Sequence, residues 1–284
     1  MRSHRGPFAV ILALACAATM TGATARTAGA PLPSIATHVI RLDEGGHLLS
    51  WSDADSPYAQ IARLAWHAFS TKFSVQDNGV VTWLTYSRFD PDTFDGINWP
   101  HNPASLYAML TDSAVLWYAF SGDRGPVGLA DTALRYQLAH GTTPPDFDWA
   151  SVPYASANPG DLEYRGADDE WCGYCGRGDG LGVIEPDKVG ELGFAYAQMF
   201  ELTGSIQERD AAIACADALA KHVRPGDERR SPWPFRVAAQ TNIPREEYSS
   251  NLVGALMLFD ELDRLGLGDV DAYRHARAIA LSWL

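Results

Sequence analysis

Positive charge is scarce in this 284-residue sequence, which carries 22 Lys and Arg against 35 Asp and Glu. A surface with that balance repels phosphate backbones. No nucleic-acid partner is therefore expected, and a polyanionic substrate is disfavoured unless cations are gathered locally. Long apolar runs are also lacking. Beyond the first 25 residues, no segment approaches the ~18 apolar residues of a membrane span, so no transmembrane segment is expected in the mature chain. Cysteine occurs only four times. No G-x-S-x-G elbow, P-loop or dinucleotide fingerprint is present, which leaves serine-hydrolase and nucleotide chemistry without support. The histidines are scattered: His67, His140 and His222 fall in helices or at their ends, and only His101 is placed for a site.

The first 25 residues read as an export leader. Arg2 and Arg5 give a basic start, Phe8 to Ala18 is apolar, and Ala23-Thr24-Ala25 places small residues where a signal peptidase reads. Cleavage is expected after Ala25, with the product secreted or periplasmic. Cys16 follows Leu14-Ala15, but the order of residues there is poor for a lipoprotein. Loss of Arg2 and Arg5 leaves 20 basic against 35 acidic side chains, a formal charge of −15. Residues 26–55 form a lead-in, and residues 56–284 form one domain.

That domain reads as a series of helical hairpins, preceded by a helix over Tyr58 to Phe73. Asn102 caps the first pair and Pro103 opens it; Ala104 to Phe120 is almost wholly apolar, and an amphipathic run follows Ser121-Gly122-Asp123. In the second pair, Pro186 to Leu202 is apolar around much of its circumference, and Gly190 and Gly193 allow close approach. Thr203-Gly204-Ser205 turns the chain into the amphipathic Ile206 to Val223. Glu247 to Leu265, then Gly266-Leu267-Gly268, then Asp269 to Leu284 make the third pair. The first helix of each pair is expected to be buried all round, while the second presents a polar face outward. The hairpins start at irregular intervals, which argues against a stacked solenoid. The long connections, Gly141 to Glu185 and Arg224 to Glu246, all precede an inner helix, and long loops in a compact domain tend to be functional.

Hairpins joined by turns such as Phe200-Glu-Leu-Thr-Gly-Ser205, with acidic and aromatic loops between pairs, resemble the six-hairpin glycosidase superfamily over roughly residues 56 to 284. The resemblance implies an all-α fold, the (α/α) toroid, with activity on carbohydrate: glycoside hydrolysis, uronyl hydrolysis, lysis or epimerisation. Three or four hairpins fit where a closed ring has six, so the toroid is read as incomplete or open and the chain as truncated at its C-terminus.

Glycoside hydrolysis uses two carboxyl groups, one as proton donor and one as base or nucleophile. Candidates lie ahead of each inner helix: Asp95 before the first, Asp179, Glu185 and Asp187 before the second, and Glu246 and Glu247 before the third. Glu185 and Asp187 are favoured, with Asp179 and Asp95 beside them. Each has a plain structural reading too. Glu185 and Asp187 suit the positive end of a helix, and Asp95 and Asp179 suit turns. One carboxyl is expected to have a raised pKa. Trp99, Trp171, Trp233 and Tyr248 are placed to pack on sugar rings, with His101 and Glu247 alongside; half of the loop tryptophans are expected to be anchors. In the lyase or epimerase alternative, Tyr248 or His101 moves the proton and Arg236 holds a uronate carboxylate. A non-catalytic saccharide-binding protein would need the aromatics alone. No cofactor is expected, although Asp168-Asp169-Glu170 suits a calcium loop as well as a solvated stretch. Cys172-Gly-Tyr-Cys175 lacks a second zinc pair and a thioredoxin-like setting, so a disulfide within the loop, or from Cys172 to Cys215, is expected.

Overall fold

The computed structural model describes residues 42–47, 57–168 and 179–284. The leader, most of the lead-in, and the segment with Asp169, Glu170, Trp171, Cys172 and Cys175 lie outside the described residues. In order, the elements are α1 (Pro57–Thr71), a 3-10 turn (Thr82–Leu84), α2 (Pro103–Ser121) and α3 (Gly125–His140). They continue with β1 (Val183–Ile184), α4 (Pro186–Thr203), α5 (Ile206–His222), β2 (Pro234–Ala238), β3 (Ile243–Ser249), α6 (Val253–Leu265) and α7 (Val270–Trp283).

Among the described residues three inner–outer hairpins are present: α2–α3, α4–α5 and α6–α7. Each inner helix is closed by a glycine in the left-handed region, Gly122, Gly204 and Gly266, at φ 74°, 74° and 67°. That geometry lets the chain reverse without a Cβ penalty. Prolines open α2 and α4, where the missing N–H costs no helical bond. Asn102 makes no capping bond, contrary to expectation; its own N–H goes to Ser87 Oγ at 2.8 Å.

Burial separates the two sets as the apolar patterning predicts. Ten of the 18 residues of α4 are buried against six of 17 in α5, and five of 13 in α6 against three of 14 in α7. The margin narrows in the first pair, because Met109 and Leu116 of α2 are 62% and 70% exposed. The inner helices lie side by side, α4 between α2 and α6. Glycine makes the α4–α6 approach close: a Cβ on Gly190 would come within 2.3 Å of the Ala255 backbone nitrogen, and one on Gly254 within 2.6 Å of the Glu191 nitrogen. The core behind them holds Tyr107, Tyr164, Tyr196, Tyr273, Trp149 and Trp233. Among the described residues no helix is long and apolar enough to cross a membrane.

Two expectations are corrected. The third inner helix begins at Val253, not Glu247; Glu247 to Ser249 end a strand. Strands β1, β2 and β3 form a small antiparallel sheet in that order, which the helical periodicity did not foretell. Cys215 is a free, buried thiol rather than a disulfide partner. It packs beneath Gly193, whose Cβ would lie 2.8 Å from that of Cys215, and burial pushes its thiol pKa well up.

Candidate functional site

The sheet assembles the site. Strand β1 pairs with β2 through Val183 with Ala238 and Ile184 with Val237, so the residue after β1, Glu185, emerges beside Arg236. Across β2 and β3, Arg236 is in register with Glu246, and the ladder shifts on either side of Arg236. Irregularities of that kind turn a side chain out of the regular alternation. The Arg236 guanidinium then donates from all three of its nitrogens. Nε reaches Glu185 Oε1 at 2.7 Å, Nη1 reaches Glu246 Oε1 at 2.7 Å, and Nη2 reaches Asp179 Oδ1 at 2.5 Å. Its carbon lies 4.8 Å from the centre of the Phe235 ring.

Glu185 occupies the position before Pro186 at the start of α4, in an extended conformation with φ −117° and ψ 114°. Its side chain is only 8% exposed. Burial, and after it the Asp179 charge, push its pKa from 4.5 up to about 7; Asp187 adds to the rise, while Arg236 pulls against it. Burial works against the Arg236 charge too, but Asp179, Glu185 and Glu246 outweigh it and hold the guanidinium above its ordinary value. The result is a carboxyl able to carry a proton near neutral pH next to carboxylates fixed by a cation.

Glu185 and Lys188 open on a cavity of about 290 Å³ whose other walls are Ser87, Asn102, Ser105, Leu106 and Ala155. The starts of α2 and α4 thus meet at one opening, as expected for inner helices that begin on the same face. Lys188 Nζ lies 3.1 Å from Glu191 Oε2 and 3.5 Å from Asp187 Oδ2. Ser105 Oγ donates to Glu191 at 3.2 Å and ties α2 to α4.

The remaining candidates are placed as follows. Asp187 is buried at the first turn of α4, where its carboxylate accepts from the Lys188 N–H at 2.9 Å and burial raises its pKa. Asp95 sits on an exposed turn, with its N–H on Thr93 Oγ1, apart from the Arg236 cluster. Trp99 is half-buried, with the Arg88 guanidinium 5.3 Å from its ring centre. Glu247 is fastened to Arg224 at 2.5 Å and 3.3 Å, and this pairing lowers its pKa. Trp233 is a buried anchor: its Nε1 donates to the Leu219 carbonyl at 3.0 Å and its ring packs near Phe259. His101 is buried as well, bonded through Nδ1 to Ser87 Oγ at 2.9 Å, and burial drives its pKa to about 3. Neither Trp233 nor His101 lines the opening, so the expectation that they contact substrate is corrected. Trp171 is outside the described residues, and Tyr248 lies in β3.

Glu246 was only one of several loop acids in the sequence. The signal that could have singled it out is its position opposite Arg236 across a short hairpin. Lys188, Ser105 and Glu191 gave no signal beyond helical spacing. Among the described residues no group of three or more His, Cys, Asp or Glu side chains is arranged to hold a metal ion.

No protein-family model matches the sequence, and no curated protein matches it. Solved structures do. One is a family 76 glycoside hydrolase, an α-mannanase of Bacteroides thetaiotaomicron. Its TM-score is 0.55 at 11% identity, over 81% of this chain and 55% of that one. Another family 76 glycoside hydrolase (mannosidase), from Bacteroides thetaiotaomicron VPI-5482, gives a TM-score of 0.54 at 14% identity, over 82% of this chain and 54% of that one. The chain spans about half the length of these structures. It shares their fold, an (α/α) toroid of helical hairpins.

Proposed function

We propose that the chain belongs to a carbohydrate-active enzyme of the glycoside hydrolase kind, with Glu185 as proton donor at the opening between α2 and α4. The observation that carries this reading is Glu185 itself. It is a buried carboxyl titrating near 7, at the mouth of an inner helix, within reach of a second carboxylate, Asp179, through their common guanidinium. A group with that pKa protonates a leaving oxygen near neutral pH, and Asp179, held by the same guanidinium, is the candidate base or nucleophile. Asp187 is the next candidate for the second role, although its contacts are those of a helix-start carboxylate. The similarity in fold to two family 76 glycoside hydrolases supports the class of substrate, an oligo- or polysaccharide.

Elimination or epimerisation on a uronic acid is the second reading. It needs a cation free to hold the sugar carboxylate, and the three nitrogens of Arg236 are taken by the chain's own carboxylates. That favours hydrolysis. A screen of reducing-sugar release across plant, algal and bacterial glycans tests the reading: release from a neutral glycan supports it, and unsaturated products from a uronate would replace it with the second. Export is proposed from the leader. Protein recovered from the periplasm or medium should begin at Arg26; an intact leader on exported or retained protein would contradict this.

A further inference from the structure

On the reading that Glu185 is the proton donor, we propose that Arg236 is the positioning residue of the site: one guanidinium that gathers Asp179, Glu185 and Glu246 and does not itself hold substrate. Its three partners come from different segments, 57, 51 and 10 positions away along the chain. Asp179 is in the loop before β1, Glu185 bridges β1 and α4, and Glu246 is in β3. The sheet brings the segments of Glu185 and Glu246 alongside β2, and the guanidinium is a group that all three carboxylates share.

Two further features point the same way. An arginine that clamps a ligand carboxylate presents a two-nitrogen fork to it. Here each nitrogen already donates to the protein, at 2.5 to 2.7 Å, and the Phe235 ring packs on the guanidinium. The β2–β3 ladder is also broken on both sides of Arg236. A bulge sacrifices regular pairing, and one of its uses is to re-aim a side chain beside an active site.

The consequence is electrostatic. Carboxylates packed together cannot all ionise unless a cation offsets their repulsion. Asp179 and Asp187 face Glu185 with negative charge, while Arg236 and Lys188 face it with positive charge; Glu246 shares the guanidinium. Arg236 thus offsets the repulsion among these carboxylates while burial keeps a proton available on Glu185. Removing the guanidinium leaves the burial and the repulsion uncompensated, and Glu185 must titrate at higher pH.

The test follows the Glu185 side-chain carboxyl by carbon-13 NMR across pH in the full chain, with its resonance assigned by loss in Glu185→Gln. Wild type, Arg236→Met and Arg236→Lys are compared. In Arg236→Met the proton affinity of Glu185 should rise about tenfold or more, one pH unit in midpoint. Arg236→Lys, which keeps the charge but loses the fork, should fall between, and it serves alone if the methionine variant does not fold. An unmoved midpoint in the folded variants would overturn the proposal. Once the glycan screen supplies a substrate, Arg236→Lys should lower kcat and displace its pH profile at nearly constant KM. A raised KM with kcat and profile intact would make Arg236 a substrate ligand instead. The titration needs no substrate, so failure of the hydrolase reading and failure of this proposal are read separately.

Discussion

Arg236 Nε donates to Glu185 Oε1 at 2.7 Å across 51 positions of sequence. A strand ladder makes that contact, because Ile184 pairs with Val237 and delivers the next residue to the guanidinium. The same pairing commits a carboxyl to a buried position, and burial is what raises its pKa.

Stability should therefore depend on pH through Glu185. Its pKa is about 7 in the folded chain and 4.5 when unperturbed, so the folded state binds the extra proton between those values. The stabilisation is complete below about pH 4.5 and is lost as pH rises through 7. The difference is on the order of 3 kcal/mol between the two limits. Melting curves from pH 4 to 9 should show wild type losing stability relative to Glu185→Gln as pH rises. Parallel curves across that range would remove the basis for a proton on Glu185.

Close packing of α4 on α6 should make Gly190 intolerant of a side chain. The Cβ of Gly190→Ala would meet backbone at 2.3 Å, and backbone cannot yield as a flexible side chain can. A loss of about 1–3 kcal/mol in urea denaturation is expected, as for other overpacked cores. Wild-type stability in this variant would mean that the two helices lie further apart.

How far the sequence revealed this architecture depends on the range of the interaction. The largely apolar runs Ala104 to Phe120 and Pro186 to Leu202 marked inner helices, and Gly122, Gly204 and Gly266 marked their ends; these signals are local. The sheet was hidden because β1 is two residues long and its partners in β2 are 53 and 55 positions distant. Glu247 was read into a helix because a charged pair before an apolar run looks like a helix start, yet it ends a strand fastened to Arg224. Glu185 and Asp179 could be named as acids in loops, but which of them share a cation could not, since Arg236 reaches them through tertiary pairing. His101 and Trp233 were placed at the site because they lie in or next to loops ahead of inner helices; the structure buries both, each with a hydrogen bond.

Cys215 should be inert in the native protein. It is 1% exposed, and burial disfavours its thiolate, the form that reacts. A thiol reagent under non-reducing conditions should modify it only after denaturation. Rapid labelling of Cys215 in the folded chain would contradict its place beneath Gly193.

Asp187→Asn should have a milder effect on catalysis than Glu185→Gln, because the Asp187 carboxylate is occupied by the first turn of its own helix and by Lys188. Little loss of stability is expected, because burial already disfavours the charged form of Asp187. If Asp187→Asn abolishes turnover while its thermal stability stays at the wild-type level, the second catalytic carboxyl is Asp187 and not Asp179.

The role of Glu185 as proton donor is tested most simply by sugar release from wild type and Glu185→Gln on a glycan that the screen identifies, at matched stability. Glutamine keeps the shape and can still pair with Arg236, but it has no proton to give to a leaving oxygen. Turnover should fall about 10²–10⁴-fold, the usual contribution of a positioned acid. Turnover equal to wild type in a folded Glu185→Gln variant would contradict that role.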